Sequence, residues 1–221
     1  MRPVRVWFSK LDSAKFISHL DLNRLFIRAF NRSGLDIWFT EGFNPHPFIT
    51  FALPLSLGQE SVCEIMDFRM NDSTPLENIQ EILNSVLPPD IRIVFIAEPV
   101  LKAKEIGFSK YEIIIDSEQN IEERRDMIKN ILLSDEQMNV LKRTKSKEFM
   151  IDVKEKLSLS EDDILISENR MILKPVLVTG AEDNINPSLL VSGLSEALNE
   201  EFYGIRIVRI SIFNKKMGDF K

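Results

Sequence analysis

Ser18-His19-Leu20-Asp21-Leu22-Asn23-Arg24-Leu25-Phe26-Ile27-Arg28-Ala29-Phe30-Asn31-Arg32-Ser33-Gly34 reads as one amphipathic helix between a capping serine and a terminating glycine. Leu22, Leu25, Phe26, Ala29 and Phe30 fall at the i, i+3, i+4, i+7, i+8 spacing that lines up one buried stripe. Ser18 suits the N-cap, and Asp21, three residues on, completes a capping-box pattern and complements the positive end of the helix dipole. Gly34 tolerates the left-handed backbone that closes a helix. The helix is therefore predicted over residues 19–32.

Before it, residues 4–9 read as a strand and residues 10–17 as a loop. After it, Leu35, Ile37 and Phe39 alternate as a strand. A turn at residues 42–47, extended chain at 48–55, a turn at Gly58 and a strand at 62–70 follow. Ser73-Thr74-Pro75 opens a second helix whose apolar side is Leu76, Ile79, Ile82, Leu83 and Val86, and Pro88-Pro89 stops it. A strand at 91–97 closes the unit. That order, βαββαβ, predicts an α+β fold of the ferredoxin-like kind: an antiparallel sheet with helices on one face. Residues 99–107 read as a linker.

The remainder repeats the pattern with an elaborated middle. Strands are expected at 111–116, 138–141, 149–153, 164–167, 171–178 and 205–213, with helices at 121–133 and from Asn186-Pro187-Ser188 to residue 199. The prediction is thus two tandem ferredoxin-like units, over residues 1–99 and 108–214, with a frayed tail at 214–221.

Composition excludes several classes. Of 221 residues 44% are hydrophobic, which is enough for a sizeable core and argues against disorder. No apolar run approaches the ~20 residues of a membrane helix, so no membrane association is expected. Cys63 is the one cysteine, so no internal disulfide can form; with no signal-peptide pattern, a cytoplasmic protein is expected. Net charge is −6, but residues 1–50 carry Arg2, Arg5, Lys10, Lys15, Arg24, Arg28 and Arg32 against Asp12, Asp21, Asp36 and Glu41. This +3 stretch is a place for an anionic ligand in an otherwise acidic chain.

Both histidines also lie there. His19 opens the helix, and His46 stands in Gly42-Phe43-Asn44-Pro45-His46-Pro47. Each proline pushes the residue before it into extended geometry, so the segment presents one imidazole on a stiff loop. His19 and His46 are the candidate acid–base residues. Ser18, Asp21, Arg24, Arg28, Glu41, Gly42, Phe43 and Asn44 are the candidate substrate-binding residues. Arg24, Arg28 and Arg32, spaced four apart, form a stripe suited to phosphate. Trp7, Phe8, Trp38, Phe39, Phe43, Phe48 and Phe51 add the rings that single-stranded RNA stacks on, although alternation within strands assigns most of them to a core. The two histidines are expected to converge on one pocket rimmed by guanidinium groups. No Walker loop, GxGxxG, HExxH or CxxC is present, and no cofactor is expected.

Taken together, Phe8-Ser9-Lys10, Phe16-Ile17-Ser18-His19-Leu20-Asp21-Leu22, Arg24-Leu25-Phe26, Arg28-Ala29, Glu41-Gly42-Phe43-Asn44-Pro45-His46-Pro47, Phe51-Ala52, Pro54-Leu55, Leu57-Gly58 and Glu60-Ser61 resemble the radical-SAM-linked protein family of unknown function. Its members stand alone or fused behind a radical SAM enzyme. The resemblance implies a radical SAM partner and an accessory, substrate-handling role. A radical SAM cluster needs three cysteines on iron, which one cysteine cannot supply, so the cluster chemistry is expected in the partner. RNA or another anionic molecule is the expected substrate. Two other readings compete. One is a metal-independent endoribonuclease similar to the CRISPR repeat-cleaving enzymes, although Gly180, Gly193, Gly204 and Gly218 are isolated where those enzymes have a glycine-rich loop. The other is a histidine-based metal site.

Overall fold

In the computed structural model, which describes residues 1–117, 120–144, 147–180 and 183–220, the chain is mixed α+β with antiparallel strand pairing and four α-helices among the described residues. It divides into two compact units, Met1–Glu105 together with Phe220, and Ile106–Asp219.

The first unit runs β1 (Arg2–Lys10), α1 (His19–Ser33), β2 (Ile49–Phe51), β3 (Glu60–Met70), α2 (Leu76–Val86) and β4 (Ile91–Ala97). β1 lies between β4 and β3, and β2 joins the other edge of β3, every pair antiparallel. The order across this part of the sheet is therefore β4-β1-β3-β2. Alternation along the strands then gives two faces. Val4, Val6 and Phe8 of β1 and Met66, Phe68 and Met70 of β3 join Phe26, Phe30, Ile79 and Leu83 of the two helices in one buried cluster. Rings interlock across it, with Phe8–Phe26 centroids 5.0 Å apart and Phe30–Phe68 4.8 Å apart. The opposite, helix-free face carries Arg5, Trp7, Asp67, Arg69 and Phe95, with Trp7 opposite Phe95 in register and 5.0 Å away.

The start of α1 differs from a reciprocal capping box. The Ser18 hydroxyl accepts from the Asp21 N–H (3.1 Å) and donates to the Asp21 carboxylate (2.7 Å), so the carboxylate binds a hydroxyl rather than the cap's backbone. Gly34 closes the helix at φ +69°. Residues 35–39 do not form the predicted strand. They contribute isolated bridges, Ile37 to Met70 and Phe39 to Pro47. The segment divides its pairing: Ile37 bridges β3 whereas Phe39 bridges the arm at Pro47, so neither ladder takes up consecutive residues. The predicted loop at 10–17 contains one 3-10 turn, Asp12–Phe16.

The second unit runs β5 (Ile106–Asp116), α3 (Ile121–Leu133), β6 (Asn139–Arg143), β7 (Glu148–Asp152), β8 (Leu157–Ser158), β9 (Ile164–Ser167), β10 (Arg170–Leu173), β11 (Val176–Val178), α4 (Pro187–Leu198) and β12 (Tyr203–Asn214). β5 is central. β12 pairs along one side of it; β10 and β11 share the other, extended by β9 and β8. β6 and β7 form a separate ribbon. β5 begins at Ile106, inside the stretch read as linker. The strand predicted over 171–178 is broken at Lys174-Pro175, where proline supplies no donor and only its carbonyl is used, accepting from the Tyr111 N–H at 2.9 Å. The tail is not frayed. The Asn214 side chain accepts from the Lys216 and Gly218 N–H groups, at 2.8 and 3.1 Å, and Phe220 is buried 4.9 Å from the Arg5 guanidinium.

Candidate functional site

Helix α1 carries two different faces. Arg24, Arg28 and Arg32, one turn apart, face an open cleft of about 630 Å³ whose other walls are Ile17, Leu25 and the end of α2 at Val86, Leu87 and Pro88. Asp21 also lines it. Arg24 pairs with Asp21 at 3.0 Å, and Arg32 donates to the Val86 carbonyl at 2.8 Å, one of the terminal acceptors a helix leaves open. Arg28 lies between them, exposed, with no hydrogen-bond or ion-pair partner among the described residues. The Ser18 hydroxyl and the Arg24 guanidinium hold the Asp21 carboxyl below the ordinary aspartate range. Its contribution to stability is therefore present above that range and is lost as pH falls through the lowered value. At neutral pH the cleft holds one carboxylate against three guanidinium groups.

His19 is elsewhere. Arg28, nine residues on, comes half a turn round the helix at about 3.6 residues per turn. The imidazole of His19 instead packs edge-on against Phe51 of β2, with ring centroids 5.0 Å apart, at the rim of the helix-side core.

His46 lies on the hairpin that joins residue 38 to residue 48. Trp38 and Phe48 are paired by the Phe48 N–H to Trp38 carbonyl bond (3.3 Å), and Thr40 and His46 by the Thr40 N–H to His46 carbonyl bond (2.9 Å). Paired residues, and residues two apart, share a face, so Trp38, Thr40, His46 and Phe48 project together. Arg69 shows which face this is. Its guanidinium sits 5.3 Å from the Trp38 ring centroid and 4.8 Å from that of Phe48, on the helix-free side of β3. The expected convergence of the two histidines is thus corrected: His19 borders the helix side of the sheet and His46 the helix-free side. Strand alternation separates them, because Phe51 and Phe48 are an odd number of residues apart.

The hairpin holds the His46 ring by its Nδ1. Its Nδ1 lies 3.0 Å from the Asn44 carbonyl oxygen, which can only accept, so Nδ1 carries the proton. The Thr40 hydroxyl is 3.2 Å from the same nitrogen, and the His46 N–H donates to that hydroxyl at 3.3 Å. In the neutral ring Nε2 is then the acceptor. Glu41, Gly42, Phe43 and Asn44 form the exposed tip, with Gly42 at φ +126° and the Phe43 ring wholly in solvent. These tip residues and Ser18, Asp21, Arg24 and Arg28 therefore belong to two places, the hairpin and the α1 cleft.

Three charged residues that the sequence did not single out as buried lie inside the first unit. Lys10, Glu60 and Glu64 are each at most 2% exposed. Glu60 accepts from the Asp12 N–H at 2.7 Å, and the Lys10 ammonium donates to the Lys15 carbonyl at 3.2 Å, which also takes the Gly58 N–H at 2.9 Å. Burial pulls the Lys10 ammonium below its ordinary pKa, and the Glu64 charge opposes that. The signal available in sequence was Glu60 and Glu64 standing at same-face spacing in a strand. Among the described residues, no three His, Cys, Asp or Glu side chains come close enough to share a metal ion, and no helix is long and apolar enough to cross a membrane.

A family described as uncharacterized protein conserved in bacteria (DUF2344) matches residues 3–187. No curated protein matches the chain.

Proposed function

This chain belongs to that bacterial family of uncharacterized proteins, and from there we propose that its first unit is a binding module that holds an anionic substrate, RNA by class, for a radical SAM enzyme. The observation that carries the reading is Arg28: an exposed guanidinium with no hydrogen-bond or ion-pair partner among the described residues, flanked by Arg24 and Arg32 in a cleft with an apolar wall. Guanidinium forks match phosphate oxygens two at a time. The apolar wall of Ile17, Leu25, Val86, Leu87 and Pro88 suits the sugar and base beside a phosphate.

The radical SAM partner rests on the resemblance of about residues 4–70 to the radical-SAM-linked family. One cysteine cannot ligate a cluster, so the division of labour would place radical chemistry on the partner and substrate capture here. We read both units as ferredoxin-like. In the first, the β4-β1-β3-β2 order with both helices on one face supports this; in the second, the reading rests on the sequence pattern. An endoribonuclease is the second reading, favoured by one observation: His46 is exposed with its Nδ1 on the Asn44 carbonyl, which in the neutral ring leaves Nε2 as the acceptor a general base needs.

The test is anisotropy titration of a labelled single-stranded oligoribonucleotide against the whole protein at several salt concentrations. Arg28→Ala with Arg32→Ala is expected to weaken binding at least tenfold. It should also flatten the plot of log affinity against log salt by about 1.4, at roughly 0.7 per phosphate contact. Affinity and salt slope both unchanged would refute the cleft as the anion site. Cleavage of the probe that disappears in His46→Ala would favour the nuclease.

A further inference from the structure

We propose that the root of the double-proline hairpin, on the helix-free side of β3, is a second contact point for RNA: Arg69 takes a backbone phosphate and His46 reads the adjoining ribose 2′-hydroxyl. The proposal rests on the anionic-substrate reading above and assigns it a residue-level basis for preferring RNA to DNA.

Arg69 is built to present its donors. The rings of Trp38 and Phe48, 5.9 Å apart and at 63° to one another, hold its guanidinium at 5.3 and 4.8 Å from their centroids. Such contacts restrain the side chain at little cost to its charge, because ring faces attract a cation without neutralising it. No carboxylate among the described residues answers it. On the same face the nearest strand neighbour, Asp67, is committed to Arg5 through two bonds of 2.7 and 2.8 Å. The Asp36 carboxylate accepts from the Asn71 amide at 2.8 Å. A restrained, half-buried guanidinium with N–H groups unspent and no counter-ion is a site for an oxyanion.

His46 adds the discriminating group. It stands two residues from Phe48 on the same face of the hairpin, a spacing of roughly 7 Å in extended chain. With Nδ1–H turned to the Asn44 carbonyl, Nε2 of the neutral ring accepts and does not donate. A phosphate oxygen cannot satisfy an acceptor. A ribose 2′-hydroxyl can, and it is the group that DNA lacks. The two prolines hold this arrangement before any ligand arrives, which lowers the ordering cost of binding.

The experiment compares a single-stranded oligoribonucleotide with the deoxyribonucleotide of the same sequence, on the whole protein, by anisotropy. The wild type is expected to prefer RNA. Arg69→Ala should weaken both ligands about tenfold, and Arg69→Lys, which keeps charge without the fork, should recover only part. His46→Ala should weaken RNA about fivefold, the value of one ordinary hydrogen bond, and leave DNA unchanged. In a Trp7→Phe background Trp38 is the sole tryptophan, and its fluorescence should change on RNA binding unless Arg69 is removed. Arg69→Ala within twofold of wild type, or His46→Ala weakening both ligands equally, would overturn the proposal. The cleft reading has its own arm: loss in Arg28→Ala with Arg69→Ala silent sinks only the hairpin site, the reverse sinks only the cleft, and no binding by the wild type sinks both.

Discussion

Asp67→Ala is expected to cost the first unit about 3–5 kcal/mol, the usual consequence of stripping a buried cation of its partner. Arg5 is 1% exposed and directs Nε and one terminal nitrogen at the two Asp67 oxygens, 2.7 and 2.8 Å away. Its remaining nitrogen, Nη1, is buried without a partner. The Phe220 ring covers the guanidinium at 4.9 Å, with Trp7 at 6.0 Å. Removing the carboxylate would leave the charge buried beneath that ring with no acid to answer it. Urea unfolding followed by tryptophan fluorescence isolates this unit, because Trp7 and Trp38 both belong to it. The midpoint should fall with little change in slope. Arg5→Met combined with Asp67→Leu should recover most of the loss, since apolar replacement of a buried pair is often neutral. A loss under about 1 kcal/mol for Asp67→Ala would mean that water reaches Arg5.

Phe26→Ala is the second large effect, expected at about 3–5 kcal/mol. Phe26 is fully buried and touches Phe8 (5.0 Å), Phe51 (5.9 Å) and Phe30 (6.5 Å) between centroids, so it links α1 to β1 and β2. The cavity would open beneath Phe51, the ring His19 packs against. The His19 ring resonances should therefore shift and broaden in Phe26→Ala while those of His46 stay in place. Equal disturbance of both imidazoles would contradict their assignment to opposite faces.

What the sequence made legible was local. The stripe Leu22, Phe26, Ala29 and Phe30, the Ser18 cap and the Gly34 stop all lie within one helix, and the arginine spacing that lines the cleft follows from the same period. What it left hidden depends on the faces of a sheet. Alternation says that Phe48 and Phe51 point opposite ways but not which side the helices cover. Trp7, Trp38 and Phe48 therefore could not be separated from Phe8 and Phe51 as non-core rings. The convergence of the two histidines failed for the same reason. Residues 35–39 alternate as a strand should, yet they split their pairing between β3 and the arm that ends at Phe48, so no single ladder forms. The burial of Lys10, Glu60 and Glu64 was not legible in the sequence alone because it is a property of tertiary packing. Arg69 carried no signal at all: an isolated arginine in a strand becomes a candidate only when two rings are seen against it.

Ultraviolet crosslinking of a bound single-stranded oligoribonucleotide, with the modified peptides read by mass spectrometry, tests the central claim most directly. Crosslinks are expected in residues 16–32 and 84–90 around the arginine cleft, and in residues 38–48 at the hairpin. Crosslinks confined to residues 106–219, or none at a protein concentration that saturates binding, would contradict it.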